Sequence, residues 1–200
     1  MKLSSTNIEK ICLSTMKKIN FSSEIDEIIS LSLQELKIDK KFHDFIKESY
    51  FPDGLDSLMF ILNKIIDKKM GQIKPKDFNK FRTHEKITYF VFKRLKVIEG
   101  ICDKKTLFFL MTKPRYLKTS NKILFNIADE IWFLSGDRST DMNYYSKRII
   151  LMNVYASVFT YFVFDKSKNA HKTLNFLERK INFVLTFGKM KGKLQSFFSR

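Results

Sequence analysis

Residues 149–164 read "IILMNVYASVFTYFVF", sixteen positions in a row without a formal charge. A membrane-spanning helix needs about 20 apolar residues, so this stretch reads instead as a helix buried in a protein core. Its polar members Asn153, Ser157 and Thr160 are spaced four and then three, which puts them on one stripe. Two readings of that stripe stand open: side chains bonding back to their own helix, or polar groups orienting a ligand in a mostly greasy cavity. Immediately upstream comes "GDRSTDMNYYSKR" at 136–148, preceded by the apolar "ILFNIADEIWFL" at 123–134. A connection needs only polarity and flexibility, so the paired rings of Tyr144 and Tyr145 call for a further reason.

Outward from this core, apolar residues recur at spacings of three and four. They predict helices over roughly 6–20, 24–36, 41–50, 55–70, 82–100, 104–112, 117–135, 141–165 and 169–187. Pro52, Pro75 and Pro114 fall between these segments, and 6 Gly in 200 residues leave few other interruptions. At 44% hydrophobic, with 21 Phe, the chain can bury a large core. The expectation is an all-α fold of about nine to ten helices. It divides into a small N-terminal helical part at 1–50, a main domain at 51–187 and a basic tail at 188–200.

Charge is high and unevenly placed. The formal net charge is +16, and only 7 of the 37 basic residues are Arg, so Lys supplies diffuse charge rather than planar forks for phosphate. The first fifty residues balance eight basic against eight acidic groups and hold no Arg. Nucleic-acid binding needs clustered cations, and a reading head in this N-terminal part lacks them. After Glu178 there is no acid at all. In the tail "GKMKGKLQSFFSR", Met190, Leu194, Phe197 and Phe198 recur at helical offsets while Lys189, Lys191, Lys193 and Arg200 take other positions. That is the make-up of a helix lying on an anionic bilayer; a frayed or packed last turn is the competing reading.

Motifs for catalysis are missing. His43, His84 and His171 are isolated, and no nucleophile elbow, phosphate-cradling glycine loop or dinucleotide fingerprint occurs. Cys12 and Cys102 lack a Cys-x-x-Cys spacing and read as reduced thiols. The opening "MKLSSTNIEKICLSTMKKI" has no signal-peptide core and carries Glu9, unlike organellar presequences. The expected location is the bacterial cytoplasm, on the inner face of the membrane, with an organellar protein that has lost its presequence as the alternative.

From about residue 123 to residue 181 the chain resembles the coenzyme Q protein nine family, accessory proteins of ubiquinone biosynthesis. The resemblance rests on Trp132, the run "SGDRSTDMNYYSKR", Asp165 with Ser167, then Thr173, Phe176, Leu177 and Arg179. It implies a TetR-like helical fold with a degenerate helix-turn-helix part and no specific nucleic-acid partner. It further implies an isoprenoid-lipid pocket in the C-terminal helices, for which Trp132, Met152, Tyr155, Phe159 and Phe162 are the candidate lining residues. No cofactor is implied, only a bound isoprenoid quinone or phospholipid as ligand, and family members are not enzymes. They assist the di-iron demethoxyubiquinone hydroxylase, and the docking patch carries over onto Ile131, Asp141, Tyr144, Tyr145 and Arg148. Here Tyr144 stands where the family usually has Trp.

On this reading Gly136 ends one helix in the left-handed region, Ser139 or Thr140 caps the next, and Tyr144 is exposed beside Arg148. A structural Asp141–Arg148 bridge with packed tyrosines is the alternative. The tail residues Lys189, Met190, Lys193, Leu194, Phe197 and Phe198 would meet membrane lipids, and a homodimer through the last long helices is common among TetR-like folds. The runner-up function is a TetR-like transcriptional regulator with a lipid effector.

Overall fold

A computed structural model describes residues 3–20, 24–72, 74–138 and 142–198, with Met142 and residues 187–198 described by backbone alone. Among the described residues it is all helix and turn, without a strand. The helices are α1 (Ser5–Lys18), α2 (Ile25–Glu35), α3 (His43–Tyr50), α4 (Leu55–Gly71), α5 (Thr83–Ile101), α6 (Lys104–Thr112), α7 (Leu117–Leu134), α8 (Met142–Phe164) and α9 (His171–Phe198). Each coincides within a residue or two with a segment of three-and-four spacing, except at the far end of α9. The tail that the sequence set apart continues, as backbone, in the same helix to Phe198.

Two compact units emerge: residues 1–74 with 94–127, and residues 75–93 with 128–200. These are not the expected divisions at residues 50 and 187. The reason lies in how α1 is held. It packs on α2 and on α4, its Glu9 faces Lys68 and Lys69 of α4, and the Cys12 thiol approaches the Leu58 carbonyl at 3.7 Å. The first fifty residues are thus part of a larger core that includes Ile11, Ile29, Leu33, Ile46, Leu58 and Leu62, each at most 2% exposed.

Local signals set the helix ends. Ser4 caps α1 through Asn7 N–H, and the Asp103 carboxylate caps α6 by accepting from Thr106 N–H at 2.8 Å. At the end of α2, Lys37 takes φ 56° while Ile38 N–H reaches the Leu33 carbonyl and Lys37 N–H that of Gln34, a Schellman closure.

One polar interaction sits deep in the first unit. Arg94 is 1% exposed, pairs with Asp67 and donates to Asn63 Oδ1 at 2.6 Å, while the Asn63 amide donates to Asp67 at 2.8 Å. Removing one member of a buried pair leaves the other charge desolvated and unanswered. Asp67→Ala is therefore expected to lower unfolding free energy by about 3–5 kcal/mol, read from denaturant midpoints, and Asp67→Leu with Arg94→Met should recover most of the loss.

The second unit joins α8 and α9 with the segment 75–93. The stretch around Pro75 reads in sequence as a plain link. It contains a 3-10 turn, Phe78–Lys80, whose Phe78 is 5% exposed and meets Tyr89 and Phe90 edge-on at centroid distances of 5.7 and 5.2 Å.

Candidate functional site: an apolar cavity beside an ion-paired corner

Construction of the site starts where α7 stops. Gly136 adopts φ 96°, and Asp137 N–H turns back to the Trp132 carbonyl at 3.0 Å. This is the left-handed closure expected of Gly136, and it aims Asp137 at the first turns of α8. There Asp137 accepts from Lys147 through one oxygen at 2.8 Å and from Arg148 through the other at 3.1 Å. Arg148 also donates through Nε to Asp129 of α7 at 2.6 Å. Its guanidinium carbon lies 3.4 Å from the centre of the Tyr144 ring, and the Tyr144 hydroxyl donates to the same Asp129 oxygen at 2.9 Å. That bond raises the Tyr144 phenol above its ordinary pKa, because losing the proton would set an oxyanion against the carboxylate.

The corner therefore differs from the docking patch read from sequence. Arg148 is 3% exposed and Ile131 is fully buried, so both lie beneath the surface. Tyr144, expected to be exposed, is half-buried under its bonds to Asp129 and its stack on Arg148. Of the four that are described, Tyr145 alone is well exposed, at 59%, its ring meeting Tyr144 edge-on. Asp141 and the caps Ser139 and Thr140 lie outside the described residues. Among the described residues the carboxylates that hold Arg148 are Asp129 and Asp137, and sequence reading named neither as a partner. Asp129 lies nineteen positions before Arg148, beyond any local pairing rule.

Trp132 connects the corner to a cavity. Its indole N–H donates to the Lys147 carbonyl at 3.1 Å, and the Lys147 ammonium sits 5.4 Å from its ring centre. The ring lines a hollow of about 450 Å³ together with Ile181, Val184 and Leu185 of α9. Ile150, Leu151 and Val154 of α8 and Ile87 of α5 complete the apolar lining, with Arg82, Thr83, His84 and Lys147 as the polar contributors. The volume falls within the range of roughly 300–1,000 Å³ usual for small-molecule sites.

Of the five candidate lipid contacts, the structure brings only Trp132 to this cavity. Tyr155, Phe159 and Phe162 are buried but do not line it, Tyr155 and Phe159 with rings parallel at 6.2 Å, and Met152 is half-buried and likewise outside the lining. The α9 residues were missed although their offsets of zero, three and four mark one helical face. Asn153, Ser157 and Thr160 each donate to a carbonyl of their own helix, Ile149, Val154 and Ala156, at 2.8–2.9 Å, which is the first of the two readings of that stripe.

Asp165 anchors the turn from α8 to α9. It accepts from Ser167 N–H, Thr173 N–H and the Thr173 hydroxyl at 2.6–2.9 Å. Burial works against its charge, yet these bonds hold its carboxyl well below the usual carboxylate range. They also fix a connection in which Asn169 and Ala170 both have positive φ, a conformation costing about 1 kcal/mol or more per residue.

Among the described residues, no group of three or more His, Cys, Asp or Glu is placed to hold a metal, and no helix is long and apolar enough to cross a membrane. Burial pushes the Cys12 and Cys102 thiols up to about 12, so both are protonated at neutral pH.

Residues 117–188 match the COQ9 family model. The resemblance to the coenzyme Q protein nine family is thereby shown for this segment, which contains the corner, Trp132, all of α8 and the α9 wall. Ubiquinone biosynthesis protein COQ9-A, mitochondrial, of Xenopus laevis is 33% identical over 79 residues, 40% of this chain and 25% of that protein. The human COQ9 protein is 28% identical over 87 residues, 44% of this chain and 27% of that protein. The Drosophila melanogaster COQ9 protein is 30% identical over 73 residues, 36% and 22% respectively. The chain thus spans about a quarter of the length of the curated relatives it matches. These relatives are named mitochondrial, which contradicts the expected bacterial cytoplasmic location. The N-terminal reading failed because the missing presequence features of nineteen residues say nothing about a protein's final compartment.

Because Arg148 is buried between two carboxylates, Arg148→Ala is expected to destabilise the fold by about 3 kcal/mol. Tyr145→Ala, at an exposed ring, should stay within about 0.5 kcal/mol of the parent. Chemical denaturation of both variants checks the contrast.

Proposed function

We propose that this chain is a non-catalytic, lipid-binding accessory protein of ubiquinone biosynthesis, which presents a polyprenyl quinone intermediate to the demethoxyubiquinone hydroxylase at a membrane. The observation that carries the reading is the apolar cavity behind Trp132, inside the segment that matches COQ9. The names of the relatives support a role in ubiquinone biosynthesis. A hollow of about 450 Å³ accommodates a ring headgroup and the first isoprene units, leaving the rest of a long tail for apolar surface or bilayer. Such a carrier lowers the cost of withdrawing a hydrophobic substrate from the membrane and performs no bond chemistry of its own.

Presentation requires a rigid surface next to the cavity. Tyr145 is the exposed ring of the corner, and the ion pairs of Arg148 beneath it fix the first turns of α8. Pre-organised aromatic side chains are favoured anchors of protein interfaces. The membrane contact is assigned to the C-terminal end of α9, whose residues Lys189, Met190, Lys193, Leu194, Phe197 and Phe198 have side chains outside those described.

Two measurements test the reading separately. Native mass spectrometry of the purified chain should show a co-purifying prenyl or acyl lipid, and Val184→Trp, which fills the cavity from α9, should remove it without loss of helical circular dichroism. Equal lipid loading in parent and variant would place the lipid elsewhere. For docking, Tyr145→Ala should weaken capture of the hydroxylase by about 30-fold, the effect of losing a hot-spot residue worth about 2 kcal/mol, with lipid loading unchanged. Undiminished capture would remove Tyr145 from the interface.

A further inference from the structure

We infer that the cavity selects amphiphiles with an anionic headgroup, the acid lying at Arg82 and His84 and the hydrocarbon tail running along the α8–α9 wall. This rests on the cavity being a lipid site, and it adds which lipids enter. The charge pattern carries the inference. Among the described residues that line the hollow there is no carboxylate, while Arg82, His84 and Lys147 all do. Their situations differ. Lys147 is held by Asp137, which also accepts from Arg148. Arg82 is exposed and its guanidinium has no partner among the described residues. His84 is half-buried, and its imidazole likewise has none.

Arg82 is held in place by its backbone. Its N–H donates to Glu85 at 2.6 Å and its carbonyl accepts from Lys86 at 3.0 Å, the arrangement of a capping residue at the start of α5. Its side chain therefore stands at the start of a nineteen-residue helix whose first turn already holds the Glu85 carboxylate, so the attraction for a ligand comes from the guanidinium and imidazole rather than from the helix end. A neutral quinone ring can occupy the same hollow and leaves the exposed guanidinium to water, so an acidic amphiphile competes with the quinone as the tighter guest. A carboxylate or phosphate would accept charge-assisted bonds from guanidinium and imidazole alike, the stronger kind of hydrogen bond. The eight apolar or aromatic side chains of the lining then take the tail.

Trp132 is the single tryptophan of the chain and lines the cavity, so its fluorescence reads occupancy directly. The full chain is titrated with two matched pairs below their aggregation concentrations: palmitate against hexadecanol, and lysophosphatidate against monopalmitoylglycerol. At least one acid should bind tenfold or more tighter than its neutral partner, as about 1.4 kcal/mol from a charge-assisted contact requires. The pair with the larger ratio identifies the headgroup as carboxylate or phosphate. Arg82→Gln with His84→Gln should abolish the preference, whereas Arg82→Lys should keep it. Equal affinity of acid and neutral partner in the parent, or an undiminished preference in the double variant, overturns the inference while leaving the lipid site standing. No response of Trp132 to any of the four overturns both.

Discussion

The C-terminal architecture depends on one guanidinium. Arg148 leaves α8 one turn after Tyr144 and is gripped by Asp129 from within α7 and by Asp137 from just beyond its end. Burial makes this arrangement costly unless every partner is present, and that cost makes the geometry discriminating. A shift of α8 along α7 would break two ion pairs and the Tyr144 bond together. Trp132 is fixed by the same element, because its N–H is answered by the carbonyl of Lys147. Cavity wall and ring-bearing surface are consequently positioned by adjacent residues of one helix turn.

That coupling explains why charge and aromatic rings crowd between two apolar segments. The tyrosines have unequal tasks. Tyr144 covers the guanidinium and shares its carboxylate, a structural role with one ring face spent, and Tyr145 is left to face outward. Tyr also suits the inner position for a chemical reason: its hydroxyl reaches Asp129, an acceptor an indole in the same place would meet with different reach.

Much of the fold was legible because it follows from local spacing. Helices α1 to α8 were set by apolar recurrence and by punctuation at Pro52, Pro75, Pro114 and Gly136. What stayed hidden is three-dimensional. The described carboxylate partners of Arg148, Asp129 and Asp137, lie nineteen and eleven positions before it, beyond any local pairing rule. Phe-rich positions on α8 suggested a pocket at Tyr155, Phe159 and Phe162, yet large aromatic side chains fill space, and the hollow opens where the smaller Leu151 and Val154 face α9. The rim residues Arg82 and His84 come from a segment outside the resemblance altogether. Compartment was the weakest inference, since it relied on features that the N-terminus lacks.

The clasp made by Asp165 has a further consequence for how this molecule can vary. An α-helix advances about 100° per residue, so the length of the connection between Phe164 and His171 sets the angular phase of α9 relative to α8. Adding one residue there would carry Lys180 toward the place of Ile181 and Phe183 toward that of Val184, turning a greasy wall into a charged and obstructed one. Surface connections usually accept insertions freely. This one acts as a timing gear, and its length is as constrained as the identity of any side chain in the cavity.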